Sequence, residues 1–260
     1  MLEESRAATD HERDAFGRRR ASAWRTLHSL TGVGPLGLFL VGHLWAQLAA
    51  LQGQQAYEEA RAGIFQRRWL ELVLVVLPLT FHAGFGVVLA LRSRNDVEAY
   101  PLSRNWMYVA QRVTGLVTFA FVVWHVAHLW APQLTSELGP HQMYPKLEED
   151  LSTTWEGFPI QAVATVAGVG AATFHFANGV WSFALGSGLV RRRSRQTALG
   201  AATVVLGILL FLAGTDAVVY FATGARMAPI RSGPKANATS DEAPARVVAP
   251  DSSAPRRRAR

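Results

Sequence analysis

The chain contains no cysteine. That absence excludes disulfides, thiolate-held iron–sulfur clusters and haem attached through Cys-x-x-Cys-His. Any metal centre must therefore be held by His, Asp, Glu or Met. Charge is also scarce, at 17% of residues against 50% apolar. What charge there is falls in short bands between long apolar stretches, the pattern of membrane spans and their loops rather than of amphipathic soluble elements. The formal net charge of +7, taken alone, would suit a nucleic-acid binder. Basic clusters at the ends of spanning-length apolar runs are topology signals first.

Crossing a bilayer as a helix takes about 20 mostly apolar residues. Five segments qualify: Leu27–Leu51, Trp69–Leu91, Trp106–Trp130, Phe158–Leu189 and Ala198–Thr223. They lack the alternation of barrel strands and are too long for them, so the expected fold is an all-α integral membrane bundle of five helices. The expected organisation is an N-terminal segment over 1–26, a membrane domain over 27–223 and a basic, disordered tail over 224–260, where Pro, Ala, Ser and Arg leave little to bury. The Asn-Ala-Thr at Asn237 is too common a pattern to weigh.

Arginine placement orients the bundle. Arg18–Arg25, then Arg92, Arg94 and Arg104, then Arg191–Arg193 and Arg195 lie at alternate span boundaries, which places all three bands and the N-terminus in the cytoplasm. The first residues are too charged for a secretory signal. The acidic loop 131–157, with Glu137, Glu148, Glu149 and Asp150, falls outside. Arg67 and Arg68 oppose this topology and are outweighed by the three concordant bands.

Six of the eight histidines (His28, His43, His82, His125, His128 and His175) lie in or at the edge of apolar runs. An ionisable group in hydrocarbon is costly and functional by default. A single such His is as readily a structural residue bonded to a neighbouring helix; four spans each carrying one near mid-depth are harder to explain that way. With a rise of about 1.5 Å per residue, His43 lies about 24 Å and His125 about 28 Å from the cytoplasmic ends of their helices, while His82 and His175 lie about 20 and 26 Å from the outer ends. The four sort into an outer pair and an inner pair, each drawn from two helices, as two stacked six-coordinate haems require.

Other metals fit less well, because structural zinc wants four closed ligands and di-iron bundles need Glu-x-x-His. A proton relay or transporter wants buried acids, yet Glu71 is near a span end and only Asp216 is set well within one. Glycines at 32, 34, 37 and 42, at 84 and 86, and at 168, 170 and 179 allow close helix packing or a macrocycle face equally. His28, at the mouth of the first helix, suits a headgroup, a haem propionate or a quinone. His128 shares a helix face with His125, so either reaches the outer iron. Arg112 lies within the third span and needs a partner, for which a propionate is expected. His11 and His141 lie in polar segments.

The strings LHSLTGVGPLGLFLVGHL (Leu27–Leu44), LPLTFHAGFG (Leu77–Gly86), RNWMYVAQRVTG (Arg104–Gly115), the VWHV around His125 and FHFANGVWSF (Phe174–Phe183) carry a family resemblance. Over about residues 21–222 the chain resembles the di-haem cytochrome b membrane anchor of succinate dehydrogenase and fumarate reductase, in its single-subunit, five-helix bacterial form. The resemblance implies a cytoplasmic-membrane protein with His82 and His175 ligating an inner haem b, and His43 and His125 an outer one, with His125 preferred over His128. It further implies a flavoprotein subunit and an iron–sulfur subunit as partners, and a membrane quinone as electron acceptor or donor. Menaquinone, reduced near the outer haem, is the expected quinone. With no flavin fold or cluster motif, this chain does not oxidise succinate by itself. Arg18–Arg20, Arg104, Arg112 and Arg191–Arg193 are candidates for docking the soluble subunits or pairing propionates, with ordinary positive-inside charge sufficient for most. The alternatives are the di-haem cytochrome b of a hydrogenase or formate dehydrogenase, or a non-redox transporter or scaffold.

Overall fold

The computed structural model describes residues 21–64, 68–92, 102–135 and 142–227. The expectations for Arg18–Arg20, Arg67, Arg94, His11, His141, Asn237 and the tail beyond Met227 lie outside the described residues, as do the side chains of Arg68 and Arg104.

The described residues are helical almost throughout. Five helices are long and apolar enough to cross a membrane: α1 (Ala21–Gln52), α3 (Trp69–Arg92), α4 (Asn105–Gln133), α6 (Ile160–Gly186) and α7 (Arg193–Thr223). Two short helices, α2 (Gln54–Ile64) and α5 (Met143–Ser152), lie between them. Among the described residues the first span is already helical at Ala21, six residues before the apolar run begins.

Successive spans alternate in direction. The beginnings of α1 and α7 and the ends of α3 and α6 share one end, with Arg25, Arg92 and Arg191–Arg193. The other end carries α2 and the acidic α5. Large apolar side chains that do not line the interior are exposed along the spans, among them Leu38 on α1, Val73 and Leu77 on α3, and Ile208 and Leu209 on α7. In water such a surface would aggregate; in a bilayer it is the stable arrangement. Exposed Trp24 and Trp106 at the arginine end, and Trp45, Trp69 and Trp155 toward the other, sit where amphipathic rings anchor at headgroup level.

Three spans contain one widened turn each, over Gly32–Leu36, Leu72–Val76 and Val126–Trp130. Each accompanies a proline: Pro35 lies inside the first, and Pro78 and Pro132 follow the other two. Proline offers no N–H and its ring clashes with the carbonyl four residues back. Widening the preceding turn passes the bonding one residue along, so Leu77 N–H reaches the Leu72 carbonyl and Ala131 N–H the Val126 carbonyl. Such widened turns occur often at functional sites, and all three lie beside histidine-bearing segments.

The most closed packing is at the acidic end. Ala50 of α1, Tyr57 of α2, Tyr144 and Leu147 of α5, Ala162 of α6 and Phe221 of α7 form one buried cluster. Tyr57, Tyr144 and Phe221 meet edge to face, with ring centres 5.2–5.8 Å apart. Burial pushes the Tyr57 phenol up to about 12. Arg61 ties α2 to α4 through Gln133, at 2.9 Å.

After α7, Gly224 takes the left-handed conformation (φ 70°) and its N–H caps the Tyr220 carbonyl, a position that favours glycine. The chain then folds back. Met227 N–H donates to Asp216 Oδ1 at 2.7 Å and the Arg226 guanidinium donates to the Leu51 carbonyl. The one acid deep in a span thus has a structural task.

Candidate functional site

Between the spans lies a cavity of about 2570 Å³ lined by residues of all five. Ordinary small-molecule pockets are about 300–1,000 Å³, so this one has room for two macrocycles. His28, His43, His82, His125, His128 and His175 all line it.

At the arginine-rich level, the rings of His82 on α3 and His175 on α6 have centroids 6.1 Å apart and planes crossing at 85°. At the other level, His43 on α1 and His125 on α4 stand 6.0 Å apart and cross at 89°. An imidazole–metal bond is about 2 Å long, and with about 1 Å more from each nitrogen to its ring centre, two axial imidazoles stand about 6 Å apart. Both separations match that span. From Gly32, which lies against His82, to His43 along α1 is about 16 Å, and from Gly115, which lies against His175, to His125 along α4 is about 15 Å. Two helices therefore give the same spacing between levels.

Among the described residues, no three His, Asp or Glu side chains gather where they could hold a metal ion. A metal between either pair would take its remaining ligands from something other than protein side chains. A planar tetradentate macrocycle supplies four, leaving two axial positions for histidine.

The inner histidines are oriented from behind. His82 Nδ1 lies 2.9 Å from the His28 carbonyl, and His175 Nδ1 lies 2.9 Å from the Gln111 carbonyl. A ring whose Nδ1–H is donated to a carbonyl leaves Nε2 as the metal-binding nitrogen. Gln111 answers across the helix pair: its Nε2 donates to the His175 carbonyl at 3.0 Å, and its Oε1 accepts from Asn178 Nδ2 at 2.7 Å. The Gln111 Nε2 also stands 3.5 Å from His175 Nε2, too long for a good bond. Interhelical hydrogen bonds in membranes average about 0.6 kcal/mol each, so this network adds more to orientation than to stability.

Close approach to the rings of His82 and His175 requires glycine at two positions. A Cβ on Gly115 would lie 2.8 Å from His175 Cε1, and one on Gly32 would overlap the His82 ring. Gly34 and Gly84, by contrast, face open space. Gly115 and the Gln111–Asn178 pair were not singled out from sequence as site residues, although Gln111 and Asn178 are amides set within apolar spans, which is a readable signal.

His28 stacks on His82 with ring centres 4.0 Å apart and a 10° angle, and its Nδ1 is buried without a partner. Arg112 lies over the Tyr108 ring, 3.6 Å from its centre, and its Nη2 is likewise buried and unpartnered. Both orphaned nitrogens belong to the arginine-end side of the cavity; the Arg112 Nη2 donates in any state, and His28 Nδ1 does so in its Nδ1–H form, in which the two fit a carboxylate.

His128 goes elsewhere. The widened turn at Val126–Trp130 spends more residues per revolution, so His128 trails away from the face of His125. It stacks on Trp124 and its Nε2 lies 3.1 Å from Asp150 Oδ2 on α5, where Lys146 also pairs at 3.0 Å.

The profile of the succinate dehydrogenase/fumarate reductase transmembrane subunit matches residues 100–214. The succinate dehydrogenase cytochrome b558 subunit of Bacillus subtilis (strain 168) is 34% identical over 201 residues, covering 76% of this chain and 96% of that protein. No solved structure matches the chain. With identity at this level along nearly the whole of that relative, the chain belongs to the family of cytochrome b membrane-anchor subunits of succinate dehydrogenase and fumarate reductase.

Proposed function

We propose that this chain is the di-haem cytochrome b subunit of a succinate:quinone oxidoreductase. In this reading His82 and His175 would hold an inner haem b, and His43 and His125 an outer one. The observation that carries it is the meeting of four histidines from four spans as two ring pairs, each about 6 Å across and at two depths. When bound, the two groups supply one-electron carriers at those depths.

The protein's own residues do the rest. His28 and His175's neighbour Gln111 offer carbonyls that hold the inner rings with Nε2 forward. Arg112 and the His28 ring offer donors for propionates of the inner group. The spans exclude water from the cavity on the lipid side, and the buried cluster of α2 and α5 closes the acidic end.

In the complex, a flavoprotein subunit oxidises succinate and an iron–sulfur subunit delivers the electrons at the arginine-rich, cytoplasmic end of a multi-pass protein of the bacterial inner membrane. The quinone is reduced near the outer pair and is a low-potential menaquinone. Electrons moving toward the positive outer face gain about 2.3 kcal/mol per charge per 100 mV, which assists an otherwise unfavourable reduction. Affinity purification of this chain from native membranes tests the assembly. Flavin and iron–sulfur subunits are expected with it, together with succinate-dependent reduction of its chromophores. A chromophore reduced by hydrogen or formate and not by succinate would replace this reading with a hydrogenase or formate dehydrogenase cytochrome.

A further inference from the structure

Gln111 and Asn178 are amides in the apolar interior of α4 and α6, and their hydrogen bonds form a closed set around one histidine. Asn178 Nδ2 donates to Gln111 Oε1 at 2.7 Å and to the Met107 carbonyl at 3.3 Å. Gln111 Nε2 donates to the carbonyl of His175 at 3.0 Å, and the His175 ring returns a bond to the carbonyl of Gln111 at 2.9 Å. Residues 111 and 175 thus exchange two bonds across the helix interface, and Asn178, one turn beyond His175, fixes the Gln111 amide so that it cannot rotate away. One turn further along α4, Gly115 leaves the Cε1–Nδ1 edge of the His175 ring just enough space, so the same helix both bonds and confines the ring.

We propose that Gln111 and Asn178 form a positioning strap that holds the His175 imidazole in its crossed orientation and sets its basicity as an axial ligand of the inner haem. This rests on the proposal that His175 binds iron. The ring's rear bond goes to a backbone carbonyl, which no side-chain substitution removes. What the amides control is how firmly α4 presents that carbonyl to the ring. A firm Nδ1–H···O=C bond makes the imidazole a more basic ligand and stabilises the oxidised metal. A slack one makes it less basic and lets the ring plane turn from its 85° crossing with His82.

The test uses the intact membrane complex carrying Gln111→Leu or Asn178→Leu. Both replacements are close in size, and neither alters a histidine. Redox titration of the two b haems and low-temperature electron paramagnetic resonance of their oxidised forms are the readouts. The expected result is a rise of the inner midpoint equivalent to about tenfold in its reduction equilibrium, 59 mV for one electron, with a shifted largest g-value for that centre alone. Gln111→Leu and the double variant should give the same shift, because Asn178 acts through Gln111. An unchanged inner centre with haem retained would overturn the strap, as would equal shifts at both centres, which mean general loosening of the bundle. If Gln111→Leu fails to retain haem, Asn178→Leu decides by the same criteria. A complex with no haem before substitution would instead overturn the haem reading on which the strap rests.

Discussion

The ring of His125 on α4 faces that of His43 on α1 at 6.0 Å, while His128, one turn further along, turns to Asp150 on α5. Two histidines three residues apart therefore do different work. His125→Ala and His43→Ala should each abolish the outer haem and leave the inner one, whereas His82→Ala and His175→Ala should do the reverse. His128→Ala should retain both. Reduced-minus-oxidised spectra of membranes, with haem counted per chain, check all five. Loss of the outer haem in His128→Ala with retention in His125→Ala would reverse the assignment.

Glycine substitutions should separate positions that touch a ring from those that do not. Gly115→Val places bulk where even an added Cβ would stand only 2.8 Å from His175 Cε1, and the inner haem signal should be largely lost. Gly32→Val should act likewise through His82. Gly84→Ala, with nothing within 4 Å of the added carbon, should leave both haem signals at wild-type level.

Asp150 joins α5 to the end of α4 and accepts from His128 and Lys146. Asp150→Ala should lower the stability of the detergent-solubilised protein by about 1 kcal/mol, the upper range for a partly exposed pair, while haem content stays at two. A fall in thermal midpoint with unchanged spectra is the expected outcome. Loss of the outer haem would show that α5 is part of the haem site.

If quinone is reduced at the outer level as proposed, succinate oxidation depends on the membrane potential. Intact cells should slow succinate-dependent quinone reduction when an uncoupler collapses the potential, since the gain of about 2.3 kcal/mol per charge per 100 mV is then lost. An unchanged rate would place quinone reduction at the inner level.

The five spans were legible because long apolar runs have few alternatives, and the histidines because an ionisable side chain in such a run demands a reason. Counting residues from the ends of helices was enough to sort His43 with His125 and His82 with His175, since helical rise is constant. The shared face inferred for His125 and His128 assumed a regular α-helix. Pro132 and the widened turn before it changed the phase, and only the three-dimensional path shows where His128 goes. The carbonyls behind His82 and His175 were illegible for another reason: the acceptor is main chain from a different helix, and no side chain marks it. The cap helices α2 and α5 are short and mixed in polarity, so hydropathy did not announce them. Asp216 read as an isolated buried acid until the chain's return past Gly224 supplied Met227 N–H as its partner.

The most direct test of the two-haem account is a haem determination on the purified complex, expressed per copy of this chain and followed by reduction with succinate. The account predicts two b haems per chain, both reduced by succinate. One haem per chain, none, or two that succinate leaves oxidised would contradict it.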